Sequence, residues 1–120
     1  MATILIVEDT PANLALASKL LNAAGHEVLT SETAAGGIAL AAERLPDVVL
    51  MDLGLPDLDG WQALEAIRAD ARTASLRVIA FTAHSMLGDR ERALAAGFDG
   101  YMSKPIEFAT FAASVGEYLR

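Results

Sequence analysis

Residue types that handle phosphate and metal ions recur in this sequence at one kind of position, the C-terminal edge of a short apolar run. Glu8 and Asp9 follow Ile4–Val7, Asp52 follows Val48–Met51, and Thr82 follows Val78–Phe81. Lys104 stands directly before Pro105, after a weaker run around Tyr101–Met102. Three carboxylates brought within a few ångströms repel one another, and at least one must take up a proton unless a cation intervenes. Lys104 offsets only part of that charge. A hard divalent cation would offset the rest, and magnesium (Mg²⁺) characteristically takes one or two carboxylates plus waters and phosphate oxygens. Carboxylates act as nucleophiles in forming aspartyl phosphates. An ammonium, a hydroxyl and a cation stabilise the equatorial oxygens of a phosphoryl group in transfer. Each residue also has an ordinary reading: a strand-end Asp as a turn or cap, Thr82 as a strand end, Lys104 as a solvated charge. The coincidence at four strand ends is what argues for a phosphoryl-transfer site.

Those strand ends must be placed side by side, and the texture of the chain says how. The three strong runs are continuous rather than alternating, as expected for strands covered on both faces of a parallel sheet. A further weak run lies around Val28–Leu29. Ala/Leu-rich segments separate them. Leu14, Ala17, Leu21 and Ala24 form one helical stripe, and Phe108, Phe111, Ala112, Val115 and Leu119 another. Thr10 and Pro11 suit an N-cap and first turn, while Gly25 and Gly97 suit helix C-termini. Strict alternation of five strands and five helices predicts an α/β fold, a doubly wound parallel sheet with helices on both faces. Ligands in such sheets bind outside the carboxyl ends of the strands, which is where the polar residues stand.

Composition narrows the function classes. The chain has 120 residues, room for one domain. There are no cysteines, so disulfide and thiolate chemistry are excluded. With 16 acidic and 9 basic residues the formal charge is −7. That balance opposes direct nucleic-acid binding, which requires a basic face. No apolar run approaches the roughly 20 residues of a membrane span. The expected location is cytoplasmic.

The motifs Val7–Asp9 (VED), Leu50–Gly60 (LMDLGLPDLDG), Phe81–Ser85 (FTAHS) and Gly97–Pro105 (GFDGYMSKP) together resemble the response-regulator receiver domains of two-component signalling. The resemblance runs from Ile4 to about Leu119 and implies a flavodoxin-like sheet of five strands in the order 2-1-3-4-5 with five helices. It implies that Asp52 is the phosphoacceptor, that Asp9 binds the metal directly and Glu8 through water, and that the Gly54 backbone carbonyl is a further ligand. Thr82 matches the switch hydroxyl, Tyr101 the switch aromatic, and Lys104 the phosphate-pairing lysine. Ala83 is small, as access to the phosphoryl group requires. The pattern also implies a cis Lys104–Pro105 bond that aims the lysine inward. Gly54 and His84 fall where the family tunes phosphoryl lifetime. The acidic pair is Glu-Asp instead of the commoner Asp-Asp. His26 reads as a surface turn residue, and Pro56 and Gly60 shape the loop after Asp52.

The expected partners are a histidine kinase or a histidine phosphotransferase. Asn13, Leu16, Leu20 and Ile106 form a candidate apolar docking patch, with partial core burial as the competing reading. Trp61 is open between packing and an interface anchor. The reading predicts one receiver domain over residues 1–120 with no output domain. It predicts no enzyme beyond self-catalysed phosphorylation and dephosphorylation. A receiver belonging to a hybrid histidine kinase is the alternative context. A haloacid-dehalogenase-like phosphatase would need a second carboxylate at position 54, where this chain has glycine. An FMN carrier would need a Ser/Thr/Gly-rich loop after the first run, where this chain has Glu8-Asp9-Thr10-Pro11.

Overall fold

A computed structural model describes residues 2–83 and 88–119. The elements alternate: β1 (Thr3–Val7), α1 (Pro11–Ala23), β2 (Glu27–Ser31), α2 (Ala34–Arg44), β3 (Val48–Met51), α3 (Gly60–Ala69), β4 (Arg77–Thr82), α4 (Asp89–Ala96), β5 (Gly100–Ser103) and α5 (Phe111–Glu117). Every pairing is parallel, and the strand order is β2-β1-β3-β4-β5. The doubly wound sheet expected from the sequence is the one observed.

Because side chains alternate across a strand, each strand feeds two cores. Ile4, Ile6, Val48, Leu50, Ile79 and Phe81 meet Ala17 and Leu21 of α1 and Phe111 and Val115 of α5. Leu5, Val7, Val49, Met51, Val78 and Ala80 face the other way, against α2, α3 and α4. β3 is wholly buried, which is why its apolar run is uninterrupted. β2 lies at the edge and is only half-buried, so its run is short and broken by exposed residues.

The helix ends follow local chemistry with exceptions. Pro11 opens α1 after Thr10, whose backbone is extended but whose hydroxyl makes no capping hydrogen bond. Gly25 and Gly97 follow α1 and α4 with φ of 93° and 113°, a conformation that side-chain-bearing residues rarely adopt. The stripe read into the last helix is corrected at its start. Phe108 lies before α5, in the turn after Pro105, and is 71% exposed. Periodicity alone does not separate a helical turn from the loop leading into it. Ala24 likewise falls outside the core and is exposed at the C-cap of α1. Among the described residues, no helix is long and apolar enough to cross a membrane.

Candidate functional site

Backbone hydrogen bonds carry the sheet one step past its strands and so place the polar residues. Glu8 N donates to Ser31 O at 3.0 Å, Asp52 N to Val7 O at 3.0 Å, and Lys104 N to Thr82 O at 2.9 Å. Glu8, Asp52 and Lys104 continue the pleat phase of Ile6, Leu50 and Met102, the phase that faces α1 and α5. Thr82 continues the opposite phase of Val78 and Ala80. Tyr101 also packs on that side, and its register partner is Ala80.

On the α1 side the side chains converge. Lys104 Nζ lies 2.5 Å from Glu8 Oε1 and 3.2 Å from Asp52 Oδ2. The ammonium also sits 5.2 Å from the centre of the Phe81 ring, so β4 contributes an aromatic face at the site. Asp52 Oδ1 accepts from the Gly54 N–H at 3.0 Å. Asn13 Nδ2 donates to Glu8 Oε1 at 3.0 Å. Oxygens of Glu8, Asp9 and Asp52 can all lie within 4.8 Å of one another. Glu8 is wholly buried and Asp52 is 7% exposed.

Burial disfavours charge at both buried acids, and they respond in opposite directions. At Glu8, burial and then the adjoining Asp52 raise the carboxyl above the ordinary range, against the pull of Lys104. At Asp52 the burial effect is outweighed by Glu8, the Gly54 N–H and Lys104, which together hold its carboxyl below the ordinary range. The site thus favours an ionised Asp52 beside a Glu8 that resists ionisation.

The donor set fits a hard cation. Three carboxylates face one ammonium, and Glu8 Oε2 is buried with no hydrogen-bond partner among the described residues. A buried, unserved carboxylate oxygen is costly, and a cation with oxygen ligands would satisfy it.

The sequence-derived residues are not all where expected. Glu8, Asp9, Asp52 and Lys104 come together, and the Lys104–Pro105 bond is cis. Thr82 is buried at the end of β4, and Ala83 beside it is exposed. His84 lies outside the described residues. Asn13, a candidate for the docking patch, is half-buried and donates its amide to Glu8 Oε1. Leu20 and Ile106 pack half-buried against the α1–α5 core, which favours the packing reading for them, and Leu16 is half-buried. Trp61 also packs, edge-on to Phe98 at 5.6 Å with Arg92 over its ring. His26 is not simply on the surface: it is half-buried, and its Nδ1 accepts from Ala2 N at 3.2 Å.

Sequence reasoning missed Asp57. Its two oxygens accept from Ala34 N at 2.9 Å and Ala35 N at 3.0 Å, tying the loop after Asp52 to the first turn of α2. These backbone donors hold its carboxyl below the ordinary range. Acidic residues favour helix N-termini, but nothing in the local sequence indicates which helix Asp57 serves.

Comparison with known proteins agrees with the geometry. Residues 4–115 match the family model described as the response regulator receiver domain. The chain is 35% identical over 117 residues to the polar-differentiation response regulator DivK of Brucella ovis, covering 98% of this chain and 95% of that one. It is 36% identical over 119 residues to protein PilH of Pseudomonas aeruginosa, covering 99% and 98%. Among solved structures, the receiver domain of the sensor histidine kinase PA1611 of Pseudomonas aeruginosa superposes with a TM-score of 0.87 and 33% identity, covering 98% of this chain and 97% of that one. That structure carries a magnesium ion coordinated in its active-site cleft. With a family model matching nearly its whole length and two relatives above 30% identity, this chain belongs to the response regulator receiver domains.

Proposed function

We infer that Asp52 accepts a phosphoryl group from a phosphohistidine on a histidine kinase or phosphotransferase, in the cytoplasm, and that the modified protein signals through contacts with other proteins. An Asp52 oxygen bonds to phosphorus as the P–N bond of the donor breaks, and the ring nitrogen keeps the electron pair. The observation that carries this reading is the environment of Asp52. It is a nearly buried carboxylate held ionised, with one oxygen on the Gly54 N–H and the other 3.2 Å from Lys104 Nζ.

Glu8, Asp9, Asp52 and the Gly54 carbonyl would hold Mg²⁺, which when bound supplies positive charge to the phosphoryl oxygens. Lys104 pairs with an equatorial oxygen. Thr82 turns its hydroxyl toward another, and Tyr101, whose Oη is buried without a hydrogen-bond partner among the described residues, follows on the same face of the sheet. This is a local charge change biasing a two-state element. Gly54 supplies no second carboxylate two residues after Asp52, the general acid a phosphatase would need there, and Gly54 and His84 are the positions proposed to set the lifetime of the aspartyl phosphate.

The test is to incubate the protein with acetyl phosphate and Mg²⁺ and weigh it intact. Gain of one phosphate, lost in Asp52→Asn, supports the reading. No gain, or an undiminished gain in the variant, would sink it.

A further inference from the structure

Among the described residues, only one oxygen of the buried Glu8 carboxylate is served, and it is served twice. Lys104 Nζ approaches Oε1 at 2.5 Å and Asn13 Nδ2 approaches the same atom at 3.0 Å. Lys104 also reaches Asp52 Oδ2 at 3.2 Å. The ammonium is therefore held between two carboxylates before any phosphoryl group arrives.

To pair with that group, Lys104 must loosen one of these contacts. Its attraction to Asp52 weakens by itself, because a carboxylate that becomes an acyl phosphate loses its charge. The contact with Glu8 does not weaken in this way, and it is the shorter of the two. Drawing the lysine away would leave a fully buried carboxylate short of a donor, which is unfavourable. Among the described residues Asn13 is the remaining donor on that atom, and it stands in the first turn of α1.

We propose that Asn13 is a positioning residue that keeps Glu8 Oε1 hydrogen-bonded while Lys104 moves to the incoming phosphoryl group. The proposal rests on the reading of Asp52 as phosphoacceptor. It separates two properties that general damage to the site would lower together. Before phosphorylation Lys104 still serves Glu8, so metal binding has little need of Asn13. During transfer it does not.

The experiment compares the wild type with Asn13→Leu, similar in size but without a donor, and Asn13→Gln, which keeps an amide. Mg²⁺ affinity of the unphosphorylated protein is measured by titration calorimetry. The phosphorylation rate by acetyl phosphate at saturating Mg²⁺ is followed by intact mass. Asn13→Leu should bind Mg²⁺ within about two-fold of the wild type yet be phosphorylated about ten-fold more slowly, the size expected when a buried acceptor loses its donor. Asn13→Gln should recover part of the rate. An unchanged rate in Asn13→Leu overturns the proposal and leaves the Asp52 reading intact. So does an equal fall in affinity and rate, or a failure of Asn13→Gln to recover. A wild type that takes up no phosphate overturns both.

Discussion

Lys104 Nζ sits closer to Glu8 Oε1, at 2.5 Å, than to Asp52 Oδ2, at 3.2 Å. The ammonium of the site thus pairs more tightly with the neighbouring acid than with the proposed phosphoacceptor. It holds a buried carboxylate in place while remaining within reach of the reacting one.

Lys104→Met keeps an unbranched stem against the Phe81 ring and removes the charge. The phosphorylation rate with acetyl phosphate should fall about a hundred-fold, the scale of losing one charge-stabilising donor. Mg²⁺ affinity should be retained, because the carboxylates lose a competing cation. Time-resolved intact mass and calorimetry separate the two effects.

The raised Glu8 makes a signed prediction about pH. A carboxyl whose pKa rises on folding binds its proton more tightly in the native state. Its stabilising contribution is fully present below the ordinary value of 4.5 and is lost as pH climbs through the higher folded value. Asp52 acts with the opposite sign but below its ordinary 3.8, so the two windows are distinct. Metal binding needs the ionised form. From pH 4.5 toward neutrality, therefore, the metal-free protein should lose melting temperature while its Mg²⁺ affinity rises. Scanning calorimetry of wild type against Glu8→Gln checks this, since the variant should lack both slopes.

Gly60 opens α3 with no room for a side chain. An added Cβ would lie 2.6 Å from Asp52 O and 2.7 Å from Leu53 Cα, both backbone atoms. Gly60→Ala should cost about 1–3 kcal/mol, the usual range for overpacking. Because the displaced atoms belong to Asp52 and its neighbour, phosphorylation should slow as well. Urea denaturation and the acetyl phosphate assay read the two effects.

Two phenylalanines three residues apart should behave in opposite ways. Phe108 is 71% exposed, and Phe111 is 3% exposed beside Phe81. Phe108→Ser should stay within about 0.5 kcal/mol of the wild type, whereas Phe111→Ala should cost about 3–5 kcal/mol. Chemical denaturation of the two variants distinguishes them; similar losses would place Phe108 in the core.

The readability of the fold tracks burial. Val48–Met51 was legible to the residue because a strand covered on both faces must be apolar throughout. Edge strand β2 showed only Val28 and Leu29 because half of it faces water. Phe108 misled because it falls at helical spacing from Ala112 and Val115 but precedes the helix. Asp57 was illegible because its partners, Ala34 and Ala35, come from a different βα unit.

The sequence by itself determined which residues stand at the carboxyl ends of the strands, since an apolar run sets both the strand and the point where polarity returns. That was enough to bring Glu8, Asp9, Asp52, Thr82 and Lys104 to one edge of one sheet and to name the chemistry. Only the tertiary structure decided who pairs with whom. Parallel register and pleat phase turn Glu8, Asp52 and Lys104 toward α1 and Thr82 toward the opposite face. They also bring Asn13 inward to Glu8. Such pairings depend on ångström-scale distances between segments remote in sequence, and no local spacing encodes them.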